Sequence, residues 1–212
     1  MSIPFLTLFQ NYECLVENEW VECQPDKFCE TDTEWRYDFS SDTSLHNWVQ
    51  KYDLTCAPKS SAGMIGSMCF FGNVTTLLWL PRLADIYGRR GIFFSSIVFL
   101  LCLLVVLLVN TDIKVGYFIF FIIGCSASAR VNVGFVYLME FIPSQNQIAT
   151  CTCFNISTGI IGILISVHFY SVSKHWEYLV IPGLFSCLVA LPLSYYYESP
   201  KFLLKKHRFE EA

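Results

Sequence analysis

The residues best suited to chemistry form a charged turn between two apolar stretches. Asp85, Gly88, Arg89 and Arg90 stand close together in the sequence. Glycine allows a tight turn, and a carboxylate beside two guanidinium groups can form charge-assisted hydrogen bonds. We therefore predict that this turn latches neighbouring helix ends in one conformational state. The alternative is a loop that is merely basic.

A second candidate is Arg130, the one formal charge inside the apolar run 115–139. A charge within lipid is costly, so its side chain should face other helices or a cavity. Ser126, Gly134 and Tyr137 share its helical face by their spacing. This polar stripe is either a candidate solute path or the surroundings of a structural arginine that neighbouring helices satisfy.

A weaker polar stripe lies in the run 148–172, where Cys151, Asn155 and Gly159 recur at the spacing of one helical turn. Small residues in this pattern usually indicate close packing between helices. A place in the solute path, with Asn155 as the candidate contact, is the minority interpretation.

Other classes of function find little support. The sequence carries no pairing of nucleophile and base, no phosphate-binding glycine loop and no metal-binding cluster, so it predicts no enzyme, no cofactor and no metal. Eleven acidic residues lie between Glu13 and Lys59 against four basic ones, and the remainder has seven acidic and ten basic residues. No basic stripe of the kind that binds nucleic acid is present.

Long apolar runs must position the candidate residues. Of the 212 residues, 54% are hydrophobic and 15% are charged. Four runs contain no Asp, Glu, Lys or Arg, and a fifth contains Arg130 alone. The five runs are residues 61–80, 91–110, 115–139, 148–172 and 178–197. About 20 apolar residues cross a hydrocarbon core as a helix, whereas barrel strands would alternate in polarity. The sequence predicts an all-α membrane protein with five transmembrane helices.

The polar segment before these runs contains Cys14, Cys23, Cys29 and Cys56. Four cysteines in a short stretch could form two disulfides with three possible connectivities on an oxidising face, and free thiols are the alternative. Lysine and arginine gather instead in the first short loop and after the last run. We therefore predict that those parts face the cytoplasm or the mitochondrial matrix, with the cysteine segment on the opposite side.

The charged turn also resembles a known motif. Residues 80–90 read LPRLADIYGRR, which is similar to the loop between helices 2 and 3 of the major facilitator superfamily, G-x-L-a-D-r-x-G-R-[RK]. Asp85, Gly88, Arg89 and Arg90 match this pattern, and Pro81 stands where the family has its first glycine.

Two further stretches carry the same resemblance. Residues 137–143, with Glu140 and Pro143, resemble the end of family helix 4, although Gln147 occupies the position expected for an arginine. Residues 198–203 resemble the signature that follows helix 6 in sugar and organic-ion carriers. The matching residues of that signature are Glu198, Ser199 and Pro200.

Residues 52–56 read YDLTC, which resembles the end of the long cysteine-containing loop of organic cation transporter-like carriers. This resemblance implies the N-terminal half of such a carrier, with the five runs as family helices 2 to 6. It divides the chain into a remnant of the outer end of helix 1 (1–10), an acidic extramembrane segment (11–59), a five-helix bundle (60–200) and a basic tail (201–212).

Two functions follow as expectations from the resemblance. One is a partial solute transporter that works by alternating access and needs a second bundle, in the plasma membrane. The other is a transporter-derived accessory subunit of a larger membrane complex, such as a respiratory-chain assembly in the mitochondrial inner membrane. In either case we expect the lipid bilayer as a partner, together with a protein partner or a missing C-terminal half that covers the cavity face. A small organic solute is the expected ligand of the first.

Overall fold

The computed structural model describes residues 6–31, 33–40 and 44–196. A small head precedes the apolar helices and is built around a three-stranded antiparallel sheet in the order β2-β1-β3. Its strands and helices are β1 (Tyr12–Val16), β2 (Glu19–Cys23), α1 (Pro25–Thr31), β3 (Trp35–Tyr37) and α2 (Trp48–Lys51). The predicted cysteine segment is thus a folded unit.

A tight hairpin sets the register of the sheet. Glu17 and Asn18, between β1 and β2, both have positive φ, 50° and 71°, as two-residue hairpin loops require. Tyr12 lies opposite Cys23 on one side and opposite Tyr37 on the other. Its ring packs within 5.4 Å of the Phe28 ring, so aromatic side chains form the core of the head.

Two disulfides stabilise the head, which confirms that prediction. Cys14 pairs with Cys23 across the hairpin, and Cys29 pairs with Cys56. The second bond ties α1 to the segment that leads directly into the first apolar helix. Of the three connectivities left open by the sequence, this is the one in which the first cysteine pairs with the second and the third with the fourth.

The remainder of the described chain is helical. Its elements are α3 (Lys59–Leu77), α4 (Leu80–Tyr87), α5 (Arg89–Val109), α6 (Ile113–Ser128), a π-helical turn (Ala129–Val133), α7 (Gly134–Phe141), a 3-10 turn (Ser144–Asn146), α8 (Gln147–Ser171) and α9 (Glu177–Tyr196). Long apolar helices with few charges are what the composition requires in lipid.

By length and apolarity, three helices in the described part can cross a membrane: Arg89–Val109, Ile113–Phe141 and Ser144–Ser171. Helices α3 and α4 make a fourth if they count as one span bent by 48°. The bend lies just before Pro81, at the first turn of α4, where proline has no N–H to continue the hydrogen bonding of the preceding helix. The apolar part of α9 is shorter, over Glu177–Pro192. Five spans therefore remain a proposal.

Helices α3 and α6 pack with their backbones in close contact. A Cβ atom at Gly72 would collide with the carbonyl oxygen of Phe121, and one at Gly124 with that of Cys69. Glycine at both positions therefore permits an approach that a larger residue would prevent. Helix α8, in contrast, has no buried residue within its apolar window.

Candidate solute path and charged helix-end cluster

The turn between α4 and α5 is built on Gly88. Its φ of 97° and ψ of 149° lie where residues with a Cβ are strained. Because α4 ends at Tyr87 and α5 begins at Arg89, this single residue separates the two helices. The turn thereby aims Arg89 back toward the last turn of α4.

Arg89 joins three helices through one guanidinium group. Its Nη2 donates to Asp85 Oδ1 of α4 at 3.1 Å, and its Nη1 lies 2.5 Å from Glu140 Oε1 of α7. The side chains of Arg89 and Glu140 are 19% and 11% exposed, whereas that of Asp85 is 57% exposed. The structure thus brings together three of the residues singled out in the sequence. The ion pair with Glu140 is more shielded from solvent than the one with Asp85.

Arg90 contacts a different helix. Its guanidinium carbon lies 5.2 Å from the centre of the Tyr195 ring in α9, which is cation–π geometry. The two adjacent arginines therefore connect the start of α5 to different helices. The sequence motif did not predict this division, because Tyr195 is remote along the chain.

Gln147, which stands where an arginine was expected, bonds to the end of α7. Its Nε2 donates to the carbonyl oxygens of Met139 and Ile142 at 3.3 and 3.4 Å, and so satisfies acceptors that the end of α7 leaves open. Ile142 has extended φ and ψ values of −101° and 130°, as expected for the residue before Pro143. The amide thus caps α7 where a charge was expected.

Arg130 lies in the π-helical turn that interrupts the α6–α7 rod. Its Nη1 donates to Ser126 Oγ at 2.6 Å and to the Ser96 carbonyl at 3.4 Å. Ser126 Oγ in turn donates to the same carbonyl at 2.9 Å. Within the described residues no carboxylate comes within 4.0 Å of the Arg130 guanidinium.

The rest of the predicted stripe divides by environment. A Cβ atom at Gly134 would collide with the Phe93 ring, and the Tyr137 ring lies 6.0 Å from that ring. These two residues therefore pack against α5. Asn155 is exposed on α8 and donates to the Cys151 carbonyl of its own helix at 2.9 Å. The structure gathers Ser126 and Arg130, and it leaves Asn155 apart from them.

A cavity of about 330 Å³ adjoins Arg130 between α3, α5, α6 and α9. Residues from the head, from four helices and from the α8–α9 connection line it together with Arg130: Leu6, Trp48, Cys69, Leu100, Leu104, Leu107, Phe120, Ile123, Trp176, Leu179, Val180 and Gly183. The aromatic contributions of Trp48 and Trp176 could not be inferred from helical periodicity, because both lie outside the apolar runs.

The head is attached to the ends of the helices by further contacts that the sequence did not reveal. Lys51 Nζ donates to the carbonyl oxygens of Leu107 and Leu108 at the end of α5. Burial lowers the pKa of Lys51 below its ordinary value, and the nearby Glu177 carboxylate opposes this effect. Lysine is well suited to a helix C-terminus, where carbonyl groups lack partners.

Two histidines make a second attachment between the head and the α8–α9 connection. His46 and His175 form an isolated parallel bridge, and their rings stack with centroids 4.0 Å apart. The signature residues Glu198, Ser199 and Pro200, and the basic tail after them, lie outside the described residues. Their predicted roles stay predictions.

Comparison with known proteins identifies the family. The family model of the Major Facilitator Superfamily matches residues 39–212. The chain belongs to the major facilitator superfamily. As a member of this superfamily it is an integral membrane protein of a transporter family, as the resemblance in the sequence implied.

Relatives in this family have the names of solute carriers. The chain is 25% identical over 183 residues to mouse "Solute carrier family 22 member 4", covering 84% of the chain and 32% of that protein. It is 27% identical over 188 residues to human "Solute carrier family 22 member 16", covering 83% and 30%. It is 26% identical over 194 residues to the Drosophila melanogaster "Organic cation transporter protein", covering 86% and 33%.

The chain therefore spans about a third of the length of the curated relatives it matches. Their names confirm the resemblance to organic cation transporter-like carriers. They also confirm the prediction that the protein is not an enzyme.

Proposed function

We propose that the chain forms one wall of an alternating-access carrier for a small organic solute. The observation that carries this proposal is the interhelical cavity of about 330 Å³ with Arg130 at its lining, in a chain of the major facilitator superfamily. Small-molecule sites are mostly apolar clefts with a few polar groups that fix orientation. Secondary carriers hold their solute between two bundles that rock against each other.

The proposal includes five spans that correspond to family helices 2 to 6. The bent pair α3–α4 supplies the first, and α9, with 20 residues, supplies the last at about 1.5 Å of rise per residue. The excess of arginine in the Gly88 turn then assigns that turn to the cytoplasmic side and the disulfide-bonded head to the outside. The plasma membrane is the proposed location, in line with an oxidised outer segment.

A second bundle is the proposed protein partner. Helix α8 supports this, because no residue of its apolar window is buried and a Cβ atom at Gly159 or Gly162 would meet open space. Small residues on a lipid-exposed face allow another helix to approach closely. The accessory-subunit alternative would use the same face for a different neighbour.

The mass of the native polypeptide separates these two alternatives. A polypeptide of the length of the curated relatives favours the carrier, since it has room for a second bundle. A native chain near 24.4 kDa that co-purifies with a large membrane complex would favour the accessory subunit and would contradict the carrier.

Solute uptake tests the proposed site itself. In the native polypeptide, Arg130→Ala should abolish uptake while the amount of protein in the membrane stays unchanged. Lys114→Ala is the matched control, because Lys114 is an exposed cation at the outer end of α6. Uptake that survives Arg130→Ala at the level of the control would reject the role of Arg130 in the solute path.

A further inference from the structure

Among the described residues that line the cavity between α3, α5, α6 and α9, Arg130 is the one with a charge. The other lining residues are apolar side chains, two tryptophans, a cysteine and a glycine. The potential inside this cavity is therefore positive, and apolar walls of low dielectric constant screen it less than water would.

Some N–H donors of the Arg130 guanidinium group have no hydrogen-bond partner among the described residues. Arginine carries five N–H donors in a planar fork. In the described part of the chain, the hydrogen bonds of Arg130 come from Nη1 alone, to Ser126 Oγ and to the Ser96 carbonyl. Both acceptors are neutral, so the charge of Arg130 has no carboxylate within 4.0 Å there. Nε and Nη2 are available for an acceptor that enters the cavity.

The backbone around Arg130 is also unusual. Residues Ala129–Val133 form a π-helical turn, and single π-helical turns inside α-helices are frequent at functional sites. Ser126 holds the arginine from one helical turn earlier and is itself anchored to α5 through the Ser96 carbonyl. The charged group is therefore positioned by two helices before any ligand arrives.

From this geometry we infer that the cavity binds the carboxylate of a small organic anion, with the apolar body of that anion against the Trp48 and Trp176 side of the lining. The inference rests on the proposed carrier function and narrows its substrate class. A bidentate pair with a carboxylate supplies the missing counter-charge of Arg130. An organic cation finds no acidic partner among the described lining residues and meets the positive charge of Arg130 instead.

The size of the cavity sets the size of the ligand. About 330 Å³ is at the lower end of the range for small-molecule pockets, roughly 300 to 1,000 Å³. The Trp48 ring lies 4.4 Å from that of Phe120 in α6. Phe120 precedes Arg130 by ten residues, or about 15 Å of helix. A slender molecule with one anionic end and one aromatic end suits this shape.

The test compares three molecules of the same body: 4-phenylbutyrate, 4-phenylbutylamine and 4-phenylbutanol. The full chain is reconstituted in phosphatidylcholine nanodiscs, and binding is followed by tryptophan fluorescence, since Trp48 and Trp176 line the cavity. We expect 4-phenylbutyrate to bind about 10- to 100-fold more tightly than the amine, the ratio expected for one hydrogen-bonded charge pair.

Two variants isolate the contribution of the charge. Arg130→Gln should remove the preference for the carboxylate, whereas Arg130→Lys should keep the preference at reduced affinity. Far-UV circular dichroism and thermal unfolding of both variants verify that they fold. If Arg130→Gln fails to fold, the preference is read from Arg130→Lys and from the three ligands on the unaltered protein.

Other outcomes overturn the inference and separate it from the carrier proposal. Saturable binding of the amine or the alcohol at least as tight as that of 4-phenylbutyrate overturns the anion assignment but keeps a solute site. Absence of saturable binding for all three molecules overturns the inference, whereas the carrier proposal is tested separately by the native mass and by uptake. Loss of 4-phenylbutyrate binding by competition when phosphatidylglycerol is added to the nanodiscs would assign the site to a lipid phosphate.

Discussion

The ion pair between Arg89 and Glu140 offers the sharpest test of how the helix ends are held together. The two side chains are mostly shielded, with 19% and 11% of their surface exposed, and Nη1 and Oε1 are 2.5 Å apart. Close pairs of opposite charges that are shielded from water show coupling energies of at least about 1.5 kcal/mol in double-mutant cycles. The bond from Arg89 to Asp85 joins residues four apart in the sequence and ends on an exposed carboxylate. It should contribute about 0.3–0.5 kcal/mol.

Two double-mutant cycles measure these values separately. The first uses Arg89→Gln, Glu140→Gln and the double variant, and the second replaces Glu140→Gln with Asp85→Asn. Unfolding by SDS in mixed micelles, followed by circular dichroism, gives the free energy of unfolding for each variant. We expect a coupling energy of at least about 1.5 kcal/mol in the first cycle and about 0.3–0.5 kcal/mol in the second.

Arg82→Gln is the matched control, because Arg82 is an exposed arginine of α4, the short helix that also carries Asp85. It should change the free energy of unfolding by less than about 0.5 kcal/mol. Equal coupling energies in the two cycles would refute the reasoning, since burial would then have no effect on the strength of the pair. So would a coupling energy in the first cycle as small as the effect of the control.

Three further predictions concern the head and the helix packing. Replacing Cys29 and Cys56 by serine should lower the free energy of unfolding by about 1 kcal/mol more than replacing Cys14 and Cys23. The reason is that the Cys29–Cys56 bond closes the longer loop, with a sequence separation of 27 against 9 for the Cys14–Cys23 bond. Equal losses in chemical denaturation would contradict this prediction. Gly124→Ala should destabilise by about 1–3 kcal/mol, since its Cβ atom would collide with backbone, whereas Gly159→Ala at an open position should leave the thermal midpoint unchanged or raise it. Burial raises the pKa of Tyr12, so its contribution to stability is fully present below the unfolded pKa of about 10 and is lost as the pH rises through the folded pKa. Chemical denaturation above pH 10 should show that Tyr12→Phe loses stability more slowly with rising pH than the unaltered protein. Tyrosinate absorbance in the same samples follows the ionisation of Tyr12.

The parts of the site that the sequence predicted depend on short spacing. Asp85 and Arg89 are four residues apart in the sequence, as are Ser126 and Arg130, and both pairs form hydrogen bonds. The positive φ at Gly88 likewise follows from a motif that places glycine between two helices. Local geometry alone decides these features.

The parts that could not be predicted depend on distant contacts. Lys51 reaches carbonyl groups 56 and 57 residues away in α5, and Arg90 lies over the ring of Tyr195. No periodicity encodes such pairs. Asn155 is the opposite case. Its residue type suited a polar path, but its side chain donates to the Cys151 carbonyl of its own helix.

Arg89 and Arg130 have opposite surroundings, and this difference separates their roles. Arg89 lies between two carboxylates, Asp85 and Glu140, so its charge is compensated within the protein and its contribution is to hold helix ends. Arg130 faces a hydroxyl and a carbonyl group, and its charge borders an apolar cavity. A compensated arginine gains little from a ligand, whereas an uncompensated one gains a counter-charge. Neutralising Arg89 should therefore weaken the protein without changing its ligand preference, and neutralising Arg130 should change that preference.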